Sequence, residues 1–429
     1  MPWAILLSSG LGLVGASLAL AHVANLAEAP RTFLALYGAA FACYGAGLWA
    51  LAHLRGRRGL RTVLVVAVLC RLALLVAPPT LSTDAYRYVW DARVANAGVS
   101  PYARAPNAPE LAALRDDRIY PHLNHPTWQT IYPPGAQLVF RVVYAFAPDS
   151  VLVMKMAMGL AELATLAVLV SLLGALGVPL TRVAVYAWNP LVLVEVWGSG
   201  HLDALAVLSV VAAVRLAIVD RRHAAAALLG LGTLVKLYPA ALLLLLLTDA
   251  GLAPLATFAL VVLAGYAPFA HLGLGALGSL PQYVTTEFFN PGLIRSLFDS
   301  PRITLLALGG WIVSASLLAR GAPFVARVII LAGGIIVLSP NIFPWYALWL
   351  VPFLAVRPSA TWIAFTATVA FAYTFFLGHP WAIPAWARVV EFLPLVVGAG
   401  WALRRYVGAD RSERREWLIP RPVRGGGQQ

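Results

Sequence analysis

Apolar runs at roughly 4–24, 32–53, 62–79, 151–173, 182–197, 203–219, 253–270, 301–319, 322–338, 342–356, 360–377 and 385–403 alternate with short polar turns along the chain. A helix needs about 20 predominantly apolar residues to cross a bilayer. In lipid, each crossing segment must satisfy its own backbone hydrogen bonds, so these runs predict helices. Two pieces depart from the pattern. Segment 135–147 is short and carries Arg141 in its middle, which predicts a re-entrant or surface helix that does not cross. Segment 224–247 is long enough to cross once but has Lys236 and Pro239 near its centre. Proline removes a backbone donor and clashes with the preceding turn, so the chain is expected to break at Tyr238 and Pro239, leaving two half-helices that meet at Lys236.

The expected fold class is therefore an all-α polytopic membrane protein, a bundle of about 12–14 helices with a large first polar loop at 80–150. Composition agrees: 61% hydrophobic and 11% charged residues, with a mean hydropathy of +0.80, leave too little polar surface to coat a soluble globule. Residues 1–403 read as one membrane domain and 404–429 as a basic tail suited to anionic lipid. The run at 4–24 ends in a small-residue "ALA", but no Lys or Arg precedes it, so it is expected to stay as a first span.

The formal charge of +13 is concentrated in turns at 55–61, 215–222, 320, 327 and 357 and in the tail. That is the cytoplasmic bias of membrane loops and not a nucleic-acid groove. With a broken hairpin at Lys236, all of these arginines fall on one side. The opposite, extracytoplasmic side then receives 80–150 and the turns at 198–203, 236–239, 271–300, 339–344 and 378–384. Cys43 and Cys70 lie inside apolar runs and support neither a disulfide framework nor a cysteine metal site. The GxGxxG strings at 10–15 and 273–278 lack a strand–turn–helix context, and no GxxxxGK[ST] occurs, which excludes the usual nucleotide machinery.

Most chemically useful residues converge on the extracytoplasmic side: Asp84, Asp91, His122, His125, His201, Asp203, Lys236, Glu287, Asn290, Arg295, Asp299 and His379. Ionisable groups at membrane depth face one another or a wet cavity, so a charged cavity opening outward is expected. Asp84 is suited to act as general base at the exit of the third span, a role that contributes roughly 100- to 10,000-fold. Lys236, Arg87 and Arg295 are suited to hold a departing phosphate. Tyr86 and Trp90 offer flat faces to a sugar ring, and Asp91, His125, Tyr132, His201, Asp203, Tyr238, Glu287 and Asn290 complete the expected substrate lining. Simpler readings stand beside these: Asp84 and Asp203 as helix-end charges, and Asp91 as the salt-bridge partner of Arg87 or Arg93. Glu162 and Glu195 lie within spans and are expected to bridge helices. A zinc or manganese site built from His122, His125 and Asp203 is the less favoured alternative.

The stretches "TDAYRYVWDARVANAGVSPY", "HPTWQTIYPPGAQ", "WNPLVLVEVWGSGHLDALAV", "LVKLYPAALLL" and "SPNIFPWYALWLVPF" occur in this order over roughly residues 80–355. Together they resemble the multi-spanning GT-C glycosyltransferases, most nearly the bacterial GT87-type family and more distantly the enzyme that adds the first mannose of GPI anchors. The resemblance implies a polyprenyl-phosphate sugar donor with mannose as the expected sugar, an inverting transfer and a location in a bacterial inner membrane. It also implies a glycolipid, polysaccharide or protein acceptor on the extracytoplasmic side, Asp84 as base and Lys236 near the donor phosphate. The GPI-type enzymes carry a DxD in the first loop, whereas this chain reads "TDAY"; a metal-independent enzyme without a cofactor is expected. The rival readings are a secondary transporter or lipid flippase with a midplane site at the broken helix around Lys236, and another lipid-linked transferase that moves an acyl or phosphate-bearing group.

Overall fold

The computed structural model describes residues 1–54, 58–378 and 381–408, with side chains as far as 405. The arginines at 55 and 57, His379 and most of the expected tail lie outside the described residues. Helices α1 (Pro2–His22) and α2 (Pro30–Ala52) form a hairpin, each opening with proline at the first helical position, where its missing N–H costs nothing. α3 (Arg58–Leu75) packs on α1. Next come α4 (Asp84–Asn96), α5 (Pro134–Phe146) and α6 (Val151–Ala175), the last capped by the Ser150 side chain. α7 (Ala184–Ala187), α8 (Pro190–Val192) and a π-helical turn (Leu193–Gly198) form a nearly fully buried central segment. It leads into α9 (Asp203–Ile218), α10 (Arg222–Thr233), α11 (Pro239–Ala250) and α12 (Ala253–Tyr266). The remaining helices are α13 (Leu280–Thr286), α14 (Leu293–Phe298), α15 (Pro301–Leu318), α16 (Phe324–Leu338), α17 (Val351–Val356), α18 (Ala360–Thr368) and α19 (Ala385–Gly408).

The chain is an all-α polytopic membrane protein: among the described residues seven helices are long and apolar enough to cross a bilayer. Their outward faces carry exposed Leu11, Leu160, Leu263, Leu306 and Val396, which suit contact with lipid and not with water. Of the other expected crossings, α3 is as long as α15 but carries Arg58, Arg61 and Arg71, while the rest are shorter or broken, and the breaks have local causes. In 182–197, read from the sequence as one span, the chain bends at Asn189–Pro190. The Asn189 side chain accepts from the Leu191 N–H and donates to Thr366, which favours a fresh helix start over a continuous helix. In 342–356, a 3-10 turn (Pro344–Trp349) precedes the short α17. The third span ends at Leu75, so Asp84 is not its terminal residue, as expected from sequence, but the first residue of a separate helix.

The break at Lys236 falls where proline predicts it, with α10 ending at Thr233 and α11 beginning at Pro239. The Leu234 carbonyl left over at the end of α10 accepts from the Ala136 N–H of α5 at 3.1 Å. Gly135 allows this approach, since a Cβ there would lie 2.8 Å from the Leu234 oxygen. α5 itself is amphipathic: Ala136, Gln137 and Phe140 are buried while Leu138, Val142 and Phe146 are exposed, as befits a surface helix.

At the centre, Arg71 on α3 meets Glu162 on α6 at 2.5 Å, with side chains only 2% and 0% exposed. Arg71 also donates to the Ala67 and Ala187 carbonyls, and the Trp197 indole donates to Glu162. Removing one partner of such a pair strands a buried charge. Arg71→Met is therefore expected to cost about 3–5 kcal/mol and to lower the unfolding temperature in detergent. Arg71→Met combined with Glu162→Leu should recover most of that loss; equal instability of the double variant would contradict the pairing.

The two ends of the bundle differ. At one end, Arg327 grips Asp249 with contacts of 2.7 and 2.8 Å, Arg222 donates to the Asp249 carbonyl and Arg182 to the Val356 carbonyl. The other end gathers the 80–150 loop, the 278–290 segment and residues 339–349, joined by Ser279 N–H to Thr130 O at 3.2 Å and Asn290 Nδ2 to Ile342 O at 2.8 Å.

Candidate functional site

Helix α4 is fastened to the rest of its loop before it presents Asp84. Arg87 and Asp91, one turn apart, pair at 2.9 Å. Asp91 also accepts from Gln137, which donates in addition to Thr130, and Arg87 reaches the Trp128 carbonyl at 2.9 Å and that of His125 at 3.4 Å. Both charged groups are buried, so the structure uses them to hold α4 against 125–137. Trp90 is buried against Tyr120 and Arg93. Tyr132 is buried edge-on to Tyr88 and Phe140, and Tyr86 stacks on His122.

Arg93 joins the far side of the loop, bonding Asp116 at 2.6 Å, Asp149 at 2.8 Å and the Leu114 carbonyl at 2.8 Å. Partial burial alone would raise the Asp116 pKa, but Arg93 and the Ile119 and Tyr120 N–H groups together hold it well below the ordinary carboxylate value. A group depressed in the folded state stabilises above its unfolded pKa of about 3.9 and loses that contribution as pH falls through the folded value. Hydrogen-exchange protection factors in 110–122, corrected for intrinsic exchange, should therefore be unchanged between pH 8 and 5 and should fall below about pH 4; a fall confined to alkaline pH would contradict the clamp.

Asp84 occupies the first turn of α4, where the helix dipole favours an acidic side chain. Its carboxylate accepts from Asn124 Nδ2 at 2.7 Å, its single side-chain hydrogen bond among the described residues, and it is half-buried. It lies close enough to act electrostatically on Lys236, Tyr346 and Tyr283.

Lys236, set in the gap between α10 and α11, donates to Asp203 at 2.7 Å and lies 4.7 Å from the centre of the Tyr346 ring. The second oxygen of Asp203 accepts from the Trp349 indole at 2.7 Å. Asp203 is 1% exposed and held on both sides, whereas Lys236 retains 21% exposure. Tyr238 stacks on Trp349 at 4.0 Å, Tyr346 stacks on Trp349 at 4.6 Å, and the Tyr283 hydroxyl meets that of Tyr346 at 3.1 Å. Lys236 thus sits against a wall of aromatic rings, with Asp84 within electrostatic range of it.

His201 lies behind this wall. Gly200, at φ +80°, turns the chain so that His201 Nδ1 meets the Glu195 carbonyl at 3.0 Å and the Glu195 carboxylate at 3.2 Å, while the ring stacks on Trp345 at 3.9 Å. Glu195 is held in turn by the Tyr373 hydroxyl. On the 271–300 side, Glu287 meets His125 at 3.0 Å. Asn290 is buried with Glu391 and Arg388 from α19, and Arg295 shares no contact with Lys236. Among the described residues no group of three or more His, Cys, Asp and Glu could hold a metal.

The structure therefore joins Lys236, Asp203 and Tyr238 through Trp349, leaves Asp84 within electrostatic range of Lys236, gives Arg87, Asp91, Trp90 and Tyr132 internal packing partners, and leaves Arg295 apart. Asn124, Tyr283, Tyr346 and Trp349 join the cluster without having been singled out from sequence. The aromatic run "FPWYALW" was visible, but its neighbours lie roughly a hundred residues away in the chain.

A family model described as alpha-(1->6)-mannopyranosyltransferase, N-terminal domain, matches residues 5–251, more than half of the chain. That span includes Asp84, Asp203 and Lys236; Tyr283, Tyr346 and Trp349 come from beyond it. No curated protein and no solved structure matches the chain.

Proposed function

We propose, from the premise that this chain belongs to the alpha-(1->6)-mannopyranosyltransferase family and is a membrane glycosyltransferase, that it transfers mannose from a polyprenyl-phosphate donor to an acceptor hydroxyl on the extracytoplasmic side. The observation that carries this reading is the Lys236–Asp203 pair in the helix break, set against the Tyr346–Trp349 rings with Asp84 within electrostatic range.

The two carboxylates near Lys236 divide the work by environment. Asp203 is committed to Lys236 and Trp349, so its role is to position the ammonium group. Asp84 has only Asn124 and retains capacity to accept a proton. Asp84 takes the proton of the acceptor hydroxyl as that oxygen bonds to the anomeric carbon. The bond from the same carbon to the phosphate oxygen breaks, and its electron pair leaves with the polyprenyl phosphate. Lys236 hydrogen-bonds only Asp203 among the described residues, and its other N–H groups are suited to the charge developing on that phosphate. One displacement inverts the anomeric centre, so a β-linked donor gives the α linkage in the family's description.

The test is transfer by purified protein in liposomes supplied with polyprenyl-phosphate mannose, or with a nucleotide-linked mannose instead. Label should reach an added mannoside acceptor from the lipid donor alone. Transfer from the nucleotide sugar, or labelled lipid crossing the bilayer unchanged, would overturn the reading and favour a different donor or a flippase.

A further inference from the structure

We infer that Arg295 marks a second phosphate site, separate from Lys236, that takes a phosphate borne on a lipid at the membrane surface. Other buried arginines are well partnered: Arg71 bonds Glu162 and two carbonyls, Arg87 bonds Asp91 and two carbonyls, and Arg93 bonds two aspartates and a carbonyl. Arg295 is as deeply buried, its side chain 7% exposed, yet Nη2 makes one bond, to the Thr285 carbonyl at 3.0 Å. Nε lies 3.5 Å from Asp299 without forming a hydrogen bond, and Nη1 has no partner among the described residues. A guanidinium carries five donors and keeps its charge at any physiological pH, so a buried one with idle donors is costly unless an anion completes it.

The surroundings indicate how that anion is carried. Phe288, Leu293, Leu297 and Phe298, all on the short helices and turn around Arg295, are exposed large apolar side chains. In a membrane protein such a group seats itself among lipid chains at the interface. A phosphate with an attached lipid tail satisfies both the idle donors and this apolar rim. Asp299 is the carboxylate nearest the guanidinium, and at 81% exposure it is free to turn into solvent. The Phe288 ring covers the guanidinium at 5.3 Å and is half exposed, so it is the group that moves when the phosphate enters. Arg295 reaches the Lys236 cluster only indirectly, through Thr285, the neighbouring Tyr283 and its hydroxyl contact with Tyr346.

The ligand is a lipid phosphate, either a phospholipid headgroup or a polyprenyl phosphate, and binding to the full-length protein in detergent separates the two. All measurements use the Lys236→Met, Asp203→Asn background, which removes the other candidate phosphate seat whether or not that seat works as proposed. The probes are phosphatidylglycerol, polyprenyl phosphate and uncharged polyprenol, counted by native mass spectrometry. Adding Arg295→Gln should weaken at least one phosphate lipid by about 10- to 100-fold, as expected for bonds to a charged donor, and leave polyprenol unchanged. Phosphatidylglycerol as the affected lipid identifies a bulk-lipid site, and polyprenyl phosphate a site for the donor or its spent carrier. Equal binding with and without Arg295→Gln overturns the inference, as does phosphate-lipid binding that disappears in the background itself. Should Arg295→Gln fail to fold, Phe288→Ala provides the second reading: uncovering the guanidinium should strengthen phosphate-lipid binding but not polyprenol binding, and an unchanged preference would refute the site.

Discussion

Replacing Asp84 with Asn is expected to lower mannosyl transfer by roughly 100- to 10,000-fold, the range supplied by a positioned general base, while donor binding stays within a few-fold of the wild type. The substitution keeps the shape of the side chain and an oxygen that can still accept from Asn124, so the start of α4 is preserved. What disappears is the ability to take a proton. The helix itself does not depend on Asp84, because α4 is held by the Arg87–Asp91–Gln137 bonds and by the Arg93 hub. Steady-state transfer and equilibrium donor binding measured on the same preparation separate the two quantities. Asp84→Asn retaining more than a tenth of wild-type turnover would move the base to another residue.

Lys236 carries the second large effect, and it cannot be read from a single substitution. Lys236→Met leaves the Asp203 carboxylate buried with only the Trp349 indole beside it, a loss of about 3–5 kcal/mol in stability by analogy with other broken buried pairs. The informative variant pairs Lys236→Met with Asp203→Asn, which removes both charges together. Its unfolding temperature should lie near that of the wild type, yet its kcat/KM for the lipid donor should remain about 10- to 150-fold below that of Asp203→Asn alone, the worth of a charged hydrogen bond to phosphate. Recovery of donor use along with stability would reduce Lys236 to a purely structural partner of Asp203.

The long spans were legible because lipid enforces a simple rule: an apolar run of sufficient length becomes a helix. The break ahead of Pro239 was legible for an equally local reason, since a ring without an N–H cannot continue the turn before it. The bend in the central segment was less so. Asn189–Pro190 is a weak signal inside an apolar run, and it takes effect through the bond from Asn189 to Thr366, far away in the chain. Arg87 illustrates a choice that sequence left open: its spacing from Asp91 suited a salt bridge, its setting suited a phosphate, and the folded loop engages it with Asp91 and two carbonyls. The pairing of Lys236 with Asp203, and the aromatic wall from 346–349 beside them, depend on how four separated segments pack at one end of the bundle. No periodicity reports such a packing. From sequence, Arg295 groups with Lys236 and Arg87 as a phosphate holder although its polar loop suits a solvated charge equally well, and its idle donors are visible only in the folded chain.

In the proposed mechanism Asp84 activates an acceptor for a single displacement at a lipid phosphate. The most direct measurement of that displacement is the anomeric configuration of the product formed from β-linked polyprenyl-phosphate mannose, read from the one-bond carbon–proton coupling at the transferred sugar. An α-linked product is expected. A β-linked product would require two successive displacements through a sugar bonded to the protein, with Asp84 cast as nucleophile and no longer as base.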